Sequence, residues 1–326
     1  YYYLGCLLYD KRVYGEAVAD YEKAALKYPE FPTVHRNLAL AYYNVKKQPQ
    51  RAYEEMEKAF ALDETDARVY LELDQLKKRL NVPVKERWSD MEKHFDLVES
   101  RDDLYLEYVT LLNTLGEPKK ALGLIMVRKF HQWEGGEGKV AAQYLTALYQ
   151  LAKAAVAKED YAEAKELLLR AVDEYPHNLG EGKLESAQEN NLYYLLGLAQ
   201  EKLGETEEAF VNLTKACYGE SEPVGMMYYN DQPPEMIYYQ GLAYRKLGDE
   251  EQAVQRFCKL VDYGKEHIGD EIKIDYFAVS LPDLLIFEEN LNERNRKHCL
   301  FMMSLGLKGL GRTDEAEKCA QQLLAM

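Results

Sequence analysis

The stretch Tyr14–Pro29, YGEAVADYEKAALKYP, decides the fold. It returns almost intact as Tyr161–Pro176, YAEAKELLLRAVDEYP, with Glu16, Ala17, Ala24, Tyr28 and Pro29 recurring as Glu163, Ala164, Ala171, Tyr175 and Pro176. Ala17, Tyr21 and Ala24 fall at i, i+4 and i+7, which places them on one face of a helix. The alanines admit a neighbouring helix closely, Tyr21 (Leu168 in the copy) fills the gap, and the proline stops the helix. So narrow an apolar stripe cannot bury itself alone, so such units are expected to stack.

Working outward, Tyr1, Leu4, Gly5 and Leu8 precede this stretch at helical spacing and supply its partner helix. A second unit follows with His35, Leu38, Ala39 and Tyr42, then Ala52, Met56 and Ala59. Gly5 to Ala39 spans 34 residues and Ala17 to Ala52 spans 35, so one residue is inserted near Lys47–Gln50. The order of aromatic, Leu-Gly, large residue, Ala, aromatic, Ala and Pro resembles the tetratricopeptide repeat. That resemblance implies an all-α, right-handed α-α superhelix of about seven or eight helix pairs, some of them degenerate.

The expected organisation is a single solenoid over residues 1–326. It has two regular repeats in 1–65, degenerate repeats in 66–139 (Tyr70, Leu73, Trp88 and Met91 keep the period but the small residues are missing), three repeats with long loops in 140–268, an insertion at 269–296 and a terminal repeat in 297–326. Four turns share one chemistry: Leu115-Gly116, Leu203-Gly204, Leu247-Gly248 and Leu310-Gly311, each glycine being expected in a left-handed helix cap. The chain opens on YYYLG, within a repeat and without a methionine, so it is expected to be a fragment of a longer protein.

A net charge of −15 argues against nucleic acid, whose affinity is supplied by Lys and Arg, and against an anionic membrane surface. No apolar run approaches the ~18–20 residues a membrane span needs. The five cysteines form no CxxC pair and four lie within helical patterns; reduced thiols of this kind suit a cytoplasm. Six scattered histidines form no HExxH or other i, i+4 pair, so no metal or other cofactor is expected. No GxSxG or Ser/His/Asp set stands out from the 56 acidic residues, and no enzyme is expected within this chain.

Two groups of residues remain as candidate binding sites. The phrase Gly136-Glu137-Gly138-Lys139 recurs as Gly180-Glu181-Gly182-Lys183, both times between helices. It lacks the first glycine and the final Ser/Thr of a phosphate-binding loop, and reads either as a duplicated helix-starting turn or as a contact loop comprising His131, Trp133, Glu137, Lys139, His177, Glu181 and Lys183. The second group is aromatic. Twenty-seven tyrosines include the doublets Tyr42-Tyr43, Tyr193-Tyr194, Tyr228-Tyr229 and Tyr238-Tyr239. The family resemblance implies that the first helix of each unit lines the concave surface, which places Tyr2, Arg36, Tyr149, Tyr194, Tyr238 and Phe301 at one inward-facing position. These residues either pack against the next repeat or form a groove for a peptide or sugar chain.

Residues 275–287, DYFAVSLPDLLIF, are apolar enough to dock on the array. Together with YYNDQPPEM, HQWEGGEGK and the last unit they resemble the C-terminal helical half of large bacterial proteins with a β-rich, sugar-enzyme-like N-terminal domain. The expected function is therefore a non-catalytic scaffold for a peptide, a protein or the chain's own missing N-terminal domain. The alternatives are an accessory domain of a carbohydrate-active enzyme, and self-association through exposed repeat ends.

Overall fold

The computed structural model describes residues 1–326 apart from 134, 185–186, 227–230 and 274–285. The Tyr228-Tyr229 doublet and most of the apolar 275–287 segment therefore lie outside the described residues.

The described chain is all α-helical, with no strands among the described residues. In order the helices are α1 (Tyr2–Asp10), α2 (Tyr14–Lys27), α3 (Pro32–Asn44), α4 (Pro49–Leu62), α5 (Ala67–Arg79), α6 (Val84–Lys93), α7 (Phe95–Ser100), α8 (Asp102–Thr114) and α9 (Pro118–Val127). Then follow α10 (Lys139–Ala157), α11 (Tyr161–Asp173), α12 (Asn190–Leu203), α13 (Thr206–Cys217), α14 (Pro234–Lys246), α15 (Glu250–His267), α16 (Leu291–Gly309) and α17 (Thr313–Leu324). They form two compact units: Tyr1–Glu117 with Leu285–Glu289, and Pro118–Leu284 with Asn290–Met326.

Each unit is built from helix pairs, and one contact explains the pairing. A Cβ on Gly5 would stand 2.7 Å from the Tyr21 ring, on Gly197 2.6 Å from Leu213, and on Gly241 2.5 Å from Phe257. A glycine on the first helix thus receives the large residue of the second, and the neighbouring Ala17, Ala209 and Ala253 are buried. In the third pair Asp74 of α5 and Arg87 of α6 are instead both buried, with Arg87 Nε donating to Asp74 Oδ1 at 3.0 Å and Nη2 to Oδ2 at 2.6 Å. The missing small residues are replaced there by a forked ion pair, which Arg87 extends to Glu107 Oε1 at 2.7 Å.

The turn between paired helices is the same throughout. Gly116, Gly204, Gly248 and Gly311 all have positive φ, as expected of the left-handed cap. The other four turns put Arg12, Lys47, Asn81 and Glu159 in that region. The following amide closes each turn on the carbonyl five residues back, as in Val13 N to Leu8 O (2.8 Å), Asp160 N to Ala155 O (2.9 Å) and Arg312 N to Leu307 O (2.9 Å). At the second turn the reach is one residue longer, Gln48 N to Tyr42 O at 2.8 Å, which locates the inserted residue.

Residues 286–289 complete the first unit. Asn44 Nδ2 donates to Ile286 O and its Oδ1 accepts from Glu288 N, both at 2.8 Å, while Phe287 is buried edge-on to the Tyr43 ring.

Candidate functional site

The duplicated Gly-Glu-Gly-Lys loops meet in the second unit. Gly138, left-handed at φ 73°, is the N-cap of α10 and offers no side chain to its free amides. Glu181 supplies the acceptor: its Oε2 takes the Gly138 amide at 2.8 Å and its Oε1 the Ala141 amide at 3.3 Å. A carboxylate here satisfies two helix-end donors and faces the positive end of the helix dipole. Asn178 braces the second loop by donating to Ile125 O (2.8 Å) and Arg128 O (3.0 Å), and its carbonyl accepts from Phe130 N. Gly180 is glycine of necessity, because a Cβ would stand 2.6 Å from Phe130 O.

Of the loop candidates, His131, Trp133, Glu137 and Glu181 border one cavity of about 300 Å³, with Val140 and Leu179 as its apolar floor. The Trp133 ring lies directly over Gly136, leaving no room for a side chain there. Lys183 is ion-paired with Glu189, and His177 opens a short 3₁₀ turn, His177–Leu179. Lys139 is the first residue of α10 and does not line the cavity.

The aromatic candidates on α10, α12 and α14 come together. These are the first helices of consecutive pairs, and α12 packs against both α10 and α14. Tyr239 is the hub: its hydroxyl is hydrogen-bonded to that of Tyr149, and its ring lies 5.6 Å from Tyr194, 5.7 Å from Tyr238 and 6.4 Å from Tyr149. All four rings are half-buried. Burial, with the Tyr239 hydroxyl beside it, holds the Tyr149 phenol well above its usual range, and burial also raises Tyr194 and Tyr238. Tyr149, Tyr194 and Tyr238 are therefore neutral donors and acceptors at any ordinary pH. Tyr238 turns partly inward, packing on Ile237 and Leu260 and against the Phe257 ring.

The remaining aromatic-position candidates lie elsewhere. Phe301 is half-buried on α16, the helix beyond α14. In the first unit Tyr2 packs edge-on to Phe31, at 4.9 Å between centroids. Arg36 is engaged: Nε and Nη2 both donate at 2.6 Å to Glu72, a fully buried carboxylate that also accepts from Arg68.

Sequence reasoning missed Tyr239 and Glu235. Tyr239 was the unused half of a doublet already noticed. Glu235 stands three and four residues before Tyr238 and Tyr239, a helical spacing that placed it on their face of α14. Burial pushes the Glu235 carboxyl above the usual carboxylate range, and its charge in turn helps raise Tyr149.

Reactive chemistry is sparse among the described residues. No group of three or more His, Cys, Asp or Glu is placed to hold a metal ion, and no helix is long and apolar enough to cross a membrane. Burial pushes the thiols of Cys217 and Cys299 up to about 11, so they remain protonated and poorly nucleophilic.

Tetratricopeptide repeat models match residues 2–67, 146–178, 191–218 and 235–263. Among solved structures, the chain is similar to the C-terminal part of a TPR repeat-containing protein from Cytophaga hutchinsonii, at 14% identity over 80% of this chain and 95% of that one, with a TM-score of 0.46. It is also similar to a tetratricopeptide repeat protein from Parabacteroides merdae (13% identity, 78% and 88% covered, TM-score 0.41). A third is PilW, a type IV pilus biogenesis factor (12% identity, 71% and 92% covered, TM-score 0.39).

Proposed function

For a chain that carries tetratricopeptide repeats, we propose a non-catalytic scaffold that binds an extended segment of a protein on the tyrosine face of α10, α12 and α14. The observation that carries this reading is the joining of Tyr149, Tyr194 and Tyr238 through Tyr239 on successive first helices. Tyrosines offer large contact area with only two side-chain rotations to fix, and their hydroxyls can meet a peptide backbone. Half-burial leaves each ring with surface to give while its packed edge keeps it in place. The binding segment can belong to another protein or to a further part of the same one.

The Trp133 cavity is a second contact region of the same unit. Its bordering Glu181 caps α10, and His131, Gln132, Trp133 and Glu137 line it beside that carboxylate.

The test is capture of proteins from lysate by the wild-type chain and by a Tyr194→Ala, Tyr238→Ala variant, compared by quantitative mass spectrometry. A protein bound by the wild type and lost from the variant, with both chains equally helical by circular dichroism, supports the reading. Equal recovery on both sinks it.

A further inference from the structure

We propose that the tyrosine face selects a basic side chain, lysine or arginine, of the bound segment, with Glu235 as its counter-charge and the tyrosine rings as its walls. This rests on the peptide-binding reading above and names which residue of the peptide is recognised.

Three observations lead there. Glu235 shares one face of α14 with Tyr238 and Tyr239, and its charge reaches the Tyr149 phenol. It has no ion pair among the described residues, although basic side chains stand on the same helix. Their bonds go to other groups: Arg245 forks onto Glu250 at 2.8 and 2.5 Å and donates to Gly309 O at 2.7 Å, with its charge also felt by Tyr194 and Tyr238, while Lys246 pairs with Glu201 at 2.6 Å. Lys153 Nζ lies 5.5 Å over the Tyr149 ring, so one ring of this set already faces a cation.

Glu235 sits in the first turn of α14 with its own backbone amide as hydrogen-bond partner and no cation paired to it among the described residues, and burial raises its pKa despite that bond. A lysine or arginine arriving on a ligand would give Glu235 a charge-assisted hydrogen bond and present its own stem and charge to the rings. An acidic side chain at the same place would meet repulsion from Glu235. The net charge of −15 acts in the same sense on encounter, drawing basic segments toward the chain.

The experiment is selection of a random peptide library displayed on phage against the full chain and, in parallel, against E235Q. The expected result is lysine or arginine enriched at one fixed position on the wild type. That enrichment should vanish on E235Q, and synthetic versions of the selected peptides should lose about tenfold to a hundredfold in affinity. Replacing the selected basic residue by norleucine should give the same loss on wild-type protein, a readout that needs no folded variant. Peptides that depend on Tyr194 but carry no basic residue, or that bind E235Q equally well, would overturn this inference and leave the peptide-binding reading standing. A library in which nothing is enriched on the wild type would overturn both.

Discussion

The carboxylate of Glu181 closes the helix that starts beyond Gly138, accepting the Gly138 amide at 2.8 Å from a separate loop. Two loops with the same four-residue phrase thus serve each other: one exposes helix-end amides and the other brings the acid. Glu181→Ala should cost about 1 kcal/mol of stability, the usual worth of a helix cap. Thermal denaturation checks this, and Glu181→Gln should lose less because the amide oxygen still accepts.

The eight turns between paired helices divide into four with glycine at the left-handed position and four with Arg12, Lys47, Asn81 and Glu159. An L side chain is strained in that region, and glycine is not. Lys47→Gly and Glu159→Gly should each stabilise the chain by up to about 1 kcal/mol, while Gly204→Ala should destabilise it by a similar amount. Denaturant midpoints of the single variants measure all three.

Asp74 and Arg87 are both buried and joined by two hydrogen bonds. Removing Asp74 strips the buried Arg87 of two of its three charge-assisted hydrogen bonds and leaves it only Glu107, so Asp74→Leu alone should cost up to about 3–5 kcal/mol. Asp74→Leu with Arg87→Met removes both charges and should recover part of that loss. A double-mutant cycle by urea denaturation gives the coupling, and losses that simply add would contradict the account.

Glu235 makes stability depend on pH. Its folded pKa is raised by burial above the ordinary value of 4.5, so the folded state holds the proton more tightly than the unfolded one. The contribution of Glu235 to stability is then greatest below about 4.5 and falls as pH rises through the window between that value and the raised one. Tyr149 beside it, its phenol raised by burial, stays neutral across this range and does not blur the effect. Glu235→Gln should therefore melt higher than wild type at pH 7, with the gain shrinking as pH falls toward 4. A group that costs stability when empty and contributes affinity when filled is what a recognition residue should show.

Much of this was legible in the chain itself. Ala17, Tyr21 and Ala24 declared the repeat because packing two helices closely requires small residues at fixed spacing, and the Leu-Gly turns declared themselves through glycine's freedom at positive φ. The other half of the turns could not be read this way, since Arg12, Lys47, Asn81 and Glu159 adopt the same backbone conformation without its signature residue. The third pair hid its packing for a similar reason: Asp74 and Arg87 are ordinary charged residues until a fold buries them against each other. Glu181 was singled out as a contact-loop residue but not as a cap, and Glu235 was lost among 56 acidic residues, because nothing in a sequence distinguishes a carboxylate that caps a distant helix from one in solvent. Tyr149, Tyr194 and Tyr238 were found from the repeat register, but Tyr239, which joins them, was not; the register identifies equivalent positions and not which side chain bridges two of them.

The most direct test of the account is calorimetric titration of a peptide selected on the wild-type chain against Tyr194→Ala, with Phe210→Ala, exposed on the second helix of the same pair, as the control. The account predicts at least about a tenfold loss of affinity for Tyr194→Ala and none for Phe210→Ala, as for an aromatic anchor at the centre of an interface. Undiminished binding by a folded Tyr194→Ala chain would contradict it.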